Sequence, residues 1–211
     1  MRYFLDTEFM ERGRNYPIDL ISIALVCEDG REYYGLNRDC DLSKANDFVK
    51  QKVIPKLPKK NLNIFDSPRI RQESLLWKPF STIREEVAEF TRCYKKVDYV
   101  RDNPLLLSGK LDKFLINNVP RLARKKVTYT CRDEGKPEFW GWYADYDWVI
   151  FAQMFGTMMD LPKGFPMYCN DLKQYCNSLG NPDLPSKPKD EHSALADARW
   201  NMKAYQFLKS L

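Results

Sequence analysis

Two periods of apolar and polar positions organise this chain. At its start Tyr3, Phe4 and Leu5 run into Asp6, and Arg2 to Glu8 reads as a strand. Ile18 to Cys27 is the clearest strand, being apolar, β-branched and long. Glu28-Asp29-Gly30-Arg31 then supplies an Asp-Gly hairpin signal, and Glu32 to Leu36 reads as the returning strand. The pattern therefore predicts a three-stranded antiparallel meander whose first strand ends in Asp6 and Glu8.

After the meander the period lengthens. Ser43 to Lys52 reads as a short helix ended by Pro55 and Pro58. Ser81 to Tyr94 carries Ile83, Val87, Phe90 and Tyr94 at helical spacing, and Thr82 and Glu85 are spaced for a capping box. From Lys95 to Pro137 the pattern blurs. Phe139 to Ala144 reads as an aromatic strand, followed by helices from Asp147 to Phe155, from Asp171 to Leu179 with Gly180 as its stop, and from Ala194 to Leu208. Pro182, Pro185 and Pro188 mark a loop before the last helix. This order predicts an α/β fold: a mixed sheet, three antiparallel strands then parallel strands, flanked by helices.

Composition narrows the function classes. With 211 residues, 44% hydrophobic and 30% charged, the chain is expected to be one domain, 1–211, of ordinary globular composition. Only 9 glycines are present and no glycine-rich dinucleotide or P-loop signature occurs, which argues against those chemistries. The opening lacks an apolar leader, and no apolar run approaches the ~20 residues of a membrane span, so a cytoplasmic protein without a membrane partner is expected. Six cysteines lie scattered without a C-x-x-C and beside a single histidine; reduced thiols are expected, and a Cys/His zinc site is not.

The net charge of +5 is concentrated. Lys95 to Lys136 holds 11 Lys/Arg against 5 Asp/Glu, so the rest of the chain is close to neutral. A basic insertion at about 95–137 on a near-neutral body suits a phosphate-rich partner, though a solvated surface loop or a homodimer contact is equally compatible with the charge.

The candidate chemistry lies at the two ends of the chain. Asp6 and Glu8 are two apart on a strand, so both point to one face. Adjacent carboxylates repel, and a cation between them is the usual reason for such a placement. As an isolated motif D-x-E is weak; its place at the end of an apolar strand strengthens it. The single histidine, His192, stands five residues before Asp197. On one helix they would lie about 140° apart, so His192 is expected on the loop and Asp197 on the helix's inward face. A lone histidine is more often structural, but Asp190 and Glu191 place this one in a polar loop. A fourth acid is expected from Tyr143-Ala144-Asp145-Tyr146-Asp147-Trp148. Asp147 is favoured because it begins the apolar run Trp148-Val149-Ile150-Phe151, leaving Asp145 as an exposed turn or cap residue. Of Trp140, Trp142 and Trp148, at least two are expected in the core rather than stacking on bases, and Met154, Met158 and Met159 are expected to pack.

Jointly, Asp6-Thr7-Glu8-Phe9, Tyr146-Asp147-Trp148 and Glu191-His192-x-Ala194-Leu195-Ala196-Asp197-Ala198-Arg199-Trp200 resemble the DEDDh 3′–5′ exonucleases, and more narrowly a bacterial and phage 3′–5′ exoribonuclease group. The likeness is loose over residues 1 to about 94 and good over 138 to 208. It implies an RNase H-like fold and two divalent cations, Mg²⁺ or Mn²⁺, held by Asp6, Glu8, Asp147 and Asp197. It makes His192 the general base toward the attacking water, a role suited to imidazole because its ordinary pKa of ~6.5 lies near working pH. Thr7 and Phe9 would meet the 3′-terminal nucleotide, and the partner would be an RNA 3′ end. Two departures stand out: Tyr143 where many relatives carry a small polar residue, and the stretch 95–137. The competing readings are a DNA 3′–5′ exonuclease and a catalytically inactive nucleic-acid-binding module. The second is disfavoured because all four acids and the histidine are present.

Overall fold

The computed structural model of the chain describes residues 1–14, 17–63, 65–100, 124–132 and 136–211. Its sheet is built on the meander that the sequence predicts. β1 (Arg2–Met10) pairs antiparallel with β2 (Asp19–Cys27), and β2 pairs antiparallel with β3 (Glu32–Asn37). The Asp-Gly turn closes between β2 and β3: the Gly30 N–H donates to Cys27 O at 2.9 Å, and Gly30 takes a φ of 88°, which glycine adopts freely.

The second half of the sheet is parallel. β4 (Trp77–Lys78) adds to β3, β7 (Glu138–Gly141) lies parallel to β1, and β8 (Asn170–Asp171) lies parallel to β7. The order is β4-β3-β2-β1-β7-β8, so β1 is central, with an antiparallel neighbour on one side and a parallel one on the other. This mixed sheet with helices on both faces agrees with the predicted fold class and is consistent with an RNase H-like arrangement.

Strand alternation sorts β1 between two cores. Tyr3 and Leu5 enter a cluster with Ile83, Val87, Phe139, Phe151 and Phe165. This is the side of α2 (Phe80–Phe90) and α3 (Asp145–Phe155). Phe4 enters the opposite cluster with Ala24, Val26, Ala194, Ala198 and Tyr205. There the long helix α5 (Ala194–Lys209) covers the sheet, assisted by α4 (Leu172–Ser178). A helix not expected from the pattern, α1 (Pro68–Ser74), precedes β4; Ser67 caps it, accepting from the Ile70 N–H at 3.3 Å.

Several expectations are corrected. The region expected as a helix over Ser43–Lys52 is a series of short turns: Leu42–Lys44, a π-helical turn Val49–Val53, and Ile54–Lys56. Asn46 breaks the run by accepting from the Val49 N–H with its side chain at 2.9 Å. The second helix begins one residue before its expected start, so the Thr82–Glu85 capping box does not form. Instead Thr82 and Ile83 donate to Pro79 O, and Asp39 accepts from the Phe80 N–H at 2.9 Å. The helix ends at Phe90, because Arg92 takes a positive φ of 58° and the chain turns into β5 (Cys93–Val100).

β5 pairs antiparallel with β6 (Arg124–Cys131) as a separate two-stranded arm, structure that the blurred pattern concealed. The remainder of the basic insertion lies outside the described residues. Trp148 is buried, and Trp140 and Trp142 pack against the second cluster, Trp140 on Tyr205 with ring centroids 4.7 Å apart, so all three tryptophans join the cores. Met154 is buried, but Met158 and Met159 are 52% and 81% exposed, against expectation, because Gly156 (φ 134°) ends α3 and turns the chain outward. None of the six cysteines is in a disulfide. Among the described residues no helix is long and apolar enough to cross a membrane.

Candidate active site

The site forms where β1 leaves the sheet. The pairing of β1 with β2 is regular as far as Glu8 and Ser22, then skips Ile21, so that Phe9 lies opposite Leu20. A bulge at this point re-aims the strand end, a device common beside active sites. The bulge follows the acidic pair and leaves its alternation intact. Asp6 and Glu8 face α5, whereas Thr7 faces α3 and donates its N–H to Asp147 at 2.8 Å.

From the other side α5 delivers Asp197, as expected. Its Oδ2 accepts from the backbone N–H groups of His192, at 2.9 Å, and Ser193, at 3.2 Å. The Ser193 N–H, at the N-cap of α5, is a donor that a helix N-terminus leaves without an intrahelical partner, and His192 stands just ahead of it. Capture of the two N–H groups holds His192 in a left-handed conformation, φ 65°, that a non-glycine residue rarely adopts. Thus His192 is on the loop and Asp197 on the first turn, and the carboxylate organises the loop that bears the imidazole. The imidazole also meets the edge of Phe48, with centroids 5.1 Å apart and planes at 85°.

Asp6, Glu8 and Asp197 each present an oxygen, and these oxygens lie within 4.8 Å of one another. They line an open cleft of about 390 Å³ that His192, Phe9, Phe48 and Trp142 also line. Asp147 stands beside this trio rather than within it. It is buried at the N-terminus of α3, with one oxygen accepting both the N–H and the hydroxyl of Thr7. Asp145, by contrast, is exposed.

The electrostatics follow from this crowding. Burial pushes the Asp6 carboxyl well above its ordinary value, and the charges of Asp147, Asp197 and Glu8 add to the effect. Glu8 is pushed up to about 8, mainly by burial and then by Asp197 and Asp147. Asp147 rises to about 6 through burial, with the two Thr7 hydrogen bonds acting in the opposite direction. Asp197 also rises by burial, opposed by the His192 and Ser193 N–H groups. An oxygen-rich, mutually repelling cluster open to solvent is the donor set that a hard divalent cation takes.

Thr7, placed at the 3′-terminal nucleotide by the resemblance, is buried and donates its N–H and hydroxyl to Asp147. Other site features escaped the sequence. Asn201, one helical turn after Asp197, is 1% exposed and donates its amide to Leu5 O at 2.9 Å, tying α5 to β1 immediately before Asp6. Its i, i+4 spacing from Asp197 was the available signal. Lys187, the one Lys or Arg among the described residues lining the cleft, sits 5.3 Å over the Trp200 ring and opposes the charges of Asp6 and Asp197. Phe48 carried no local signal, since it reaches the cleft from a turn distant in sequence, whereas Lys187 arrives on the Pro-rich loop five residues before His192. Phe9 stacks on Tyr146, with planes at 12° and centroids 5.5 Å apart.

Fold and site together define a class: a mixed α/β domain whose central strand ends in a carboxylate pair, joined over an open cleft by a carboxylate from its C-terminal helix. Within that class the chain belongs to one family, for the 3'-5' exoribonuclease Rv2179c-like domain matches residues 1–208. The chain is 31% identical over 210 residues to the 3'-5' exoribonuclease Rv2179c of Mycobacterium tuberculosis (strain ATCC 25618 / H37Rv), a match covering 100% of this chain and 94% of that protein. It has the same identity and coverage against the 3'-5' exoribonuclease MT2234.1 of Mycobacterium tuberculosis (strain CDC 1551 / Oshkosh).

Proposed function

We propose that this protein is a cation-dependent 3′–5′ exoribonuclease of the DEDDh type, releasing nucleoside 5′-monophosphates from RNA 3′ ends. The observation that carries the reading is the convergence of Asp6, Glu8 and Asp197 oxygens within 4.8 Å in the cleft that His192 also lines. Family membership favours RNA over DNA as the substrate.

The residues fit divalent cations. Three carboxylates brought together at the cost of raised pKa values become favourable once positive charge lies between them. Asp6, Glu8 and Asp197 would hold the ions, with Asp147 alongside as the fourth acid. Two Mg²⁺ or Mn²⁺ ions bound there supply charge neutralisation for the phosphate and make water more acidic.

The chain's own groups do the rest. Phe9, on its Tyr146 support, lies beside the acidic pair and contacts the 3′-terminal nucleotide. Lys187 offers the cleft a cation for a phosphate oxygen. His192 accepts the proton of the attacking water as its oxygen bonds to phosphorus. The bond from phosphorus to the 3′ oxygen of the preceding nucleotide breaks and that oxygen takes a proton from solvent, leaving a shortened chain with a 3′ hydroxyl and a free 5′-monophosphate.

The test is a time course on 5′-labelled RNA and sequence-matched DNA with Mg²⁺, Mn²⁺ or EDTA. The expected result is a ladder shortening from the 3′ end, abolished by EDTA and faster on RNA. Binding without cleavage under every cation would overturn the enzymatic reading. Faster DNA cleavage would overturn the substrate.

A further inference from the structure

We propose that Cys93 and Cys131 form an oxidisable dithiol that locks the stem of the β5–β6 arm. The two cysteines are 38 residues apart in the chain but directly opposite in the register of β5 and β6. Opposed residues of an antiparallel pair present their side chains on one face.

Backbone hydrogen bonds identify the type of pair. The Cys131 N–H turns away from β5 and donates to Lys163 O at 2.9 Å, while the neighbouring Arg132 N–H donates to Arg92 O at 3.0 Å. Cys93 and Cys131 therefore occupy a non-hydrogen-bonded position, where Cα atoms approach to about 4.5 Å and side chains lie closest. That spacing is inside the range a disulfide spans. The thiols also converge: both Cys93 Sγ and Cys131 Sγ lie 3.8 Å from one acceptor, Thr91 O.

Exposure sets the order of events. Cys131 is half-buried and Cys93 buried, so Cys131 meets the oxidant first. With a small-molecule disulfide as oxidant, the Cys131 thiolate attacks one of its sulfurs and releases one thiol, giving a mixed disulfide. The Cys93 thiolate then attacks the Cys131 sulfur and releases the second thiol. The protein pair gives up two protons and two electrons, and the oxidant disulfide becomes two thiols.

The consequence falls on the arm. Its strands flank residues 101–123 within the basic stretch, and Thr91 and Arg92 join it to the end of α2. A bond between Cys93 and Cys131 fixes the separation of the strands where the arm leaves the body. The inference stands apart from the nuclease reading, since neither cysteine lines the acidic cleft.

The experiment treats the full chain with oxidised glutathione or with dithiothreitol and maps its cysteines by non-reducing peptide mass spectrometry. The expected product is a Cys93–Cys131 cross-linked peptide, lost on reduction. Cys93→Ser should instead accumulate glutathione on Cys131, because the resolving thiol is gone. Oxidised wild-type protein should show slower protease cleavage within the arm than the reduced form. Persistent glutathione on Cys131 in the wild type, a cross-link to another cysteine, or two unmodified thiols would each overturn the proposal. The wild-type map decides even if the Ser variant fails to fold.

Discussion

Thr7 donates both its backbone N–H and its hydroxyl to a single oxygen of Asp147, across 140 residues of chain. Thr7 points away from Asp6 and Glu8, yet through it Asp147 is tied to the strand that carries them, close enough for its charge to act on both. Thr7→Val keeps the shape and the N–H but removes the hydroxyl donor. Turnover should fall about 10–100-fold, the scale seen when support of a ligating group is lost, and Thr7→Ser should recover most of it. Equal activity in Thr7→Val and wild type, measured as kcat on a short RNA, would remove Thr7 from the positioning of Asp147.

Asp147 and Asp145 are separated by one residue and by their environments: Asp147 is 7% exposed, whereas Asp145 is exposed at the first turn of α3. Asp147→Asn should cost most of the activity and Asp145→Asn almost none. Parallel initial-rate measurements on the two variants check this, and the reverse order would move the fourth acid to Asp145.

Asp6→Asn should remove turnover by a factor on the order of 10³ while keeping the fold, since its proposed role is to hold the cations that offset charge at the reacting phosphate. His192→Ala should lose about 10²–10⁴-fold in rate yet still bind RNA and divalent cations, as expected when only proton transfer is removed. Circular dichroism together with RNA and Mn²⁺ titrations separates these outcomes. An unfolded His192→Ala would assign the histidine a structural role.

Raised carboxyl pKa values make the cation-free protein sensitive to pH. Glu8 titrates near 8 in the fold against an ordinary value of 4.5. Between those values the native state holds a proton that the unfolded chain has released, so stability falls as pH rises through this window. Without divalent ions, Tm should drop from pH 5 to pH 8. Adding Mg²⁺ or Mn²⁺ should oppose the drop, and Glu8→Gln should flatten it. A Tm that rises over the same window in EDTA would contradict the burial of these acids.

Asn201 ties α5 to β1 through Leu5 O, one residue before Asp6. Asn201→Ala leaves that buried carbonyl without its donor, a loss of about 1–3 kcal/mol. Thermal unfolding should register this, and kcat should fall as well because the strand end bearing Asp6 loses its tie to the helix bearing Asp197. Unchanged kcat at lowered Tm would limit Asn201 to stability.

The sequence by itself determined the meander, the C-terminal helix, and the placing of Asp6 with Glu8 and of His192 ahead of Asp197. These are local matters: a period-two apolar run, an Asp-Gly turn and a helix start each act over a few residues. The β5–β6 arm was illegible because strands separated by a charged stretch pair through register, which no local pattern encodes. Met158 and Met159 were misread for a related reason, since burial depends on where Gly156 sends the chain. Only the tertiary structure decided that β1 lies at the centre of the sheet, that its alternation sends Thr7 to Asp147 and Asp6 to Asp197, and that Phe48, Lys187 and Asn201 reach the same cleft. Such contacts join residues far apart in sequence, and their energy exists only once the two cores have closed on either side of the sheet.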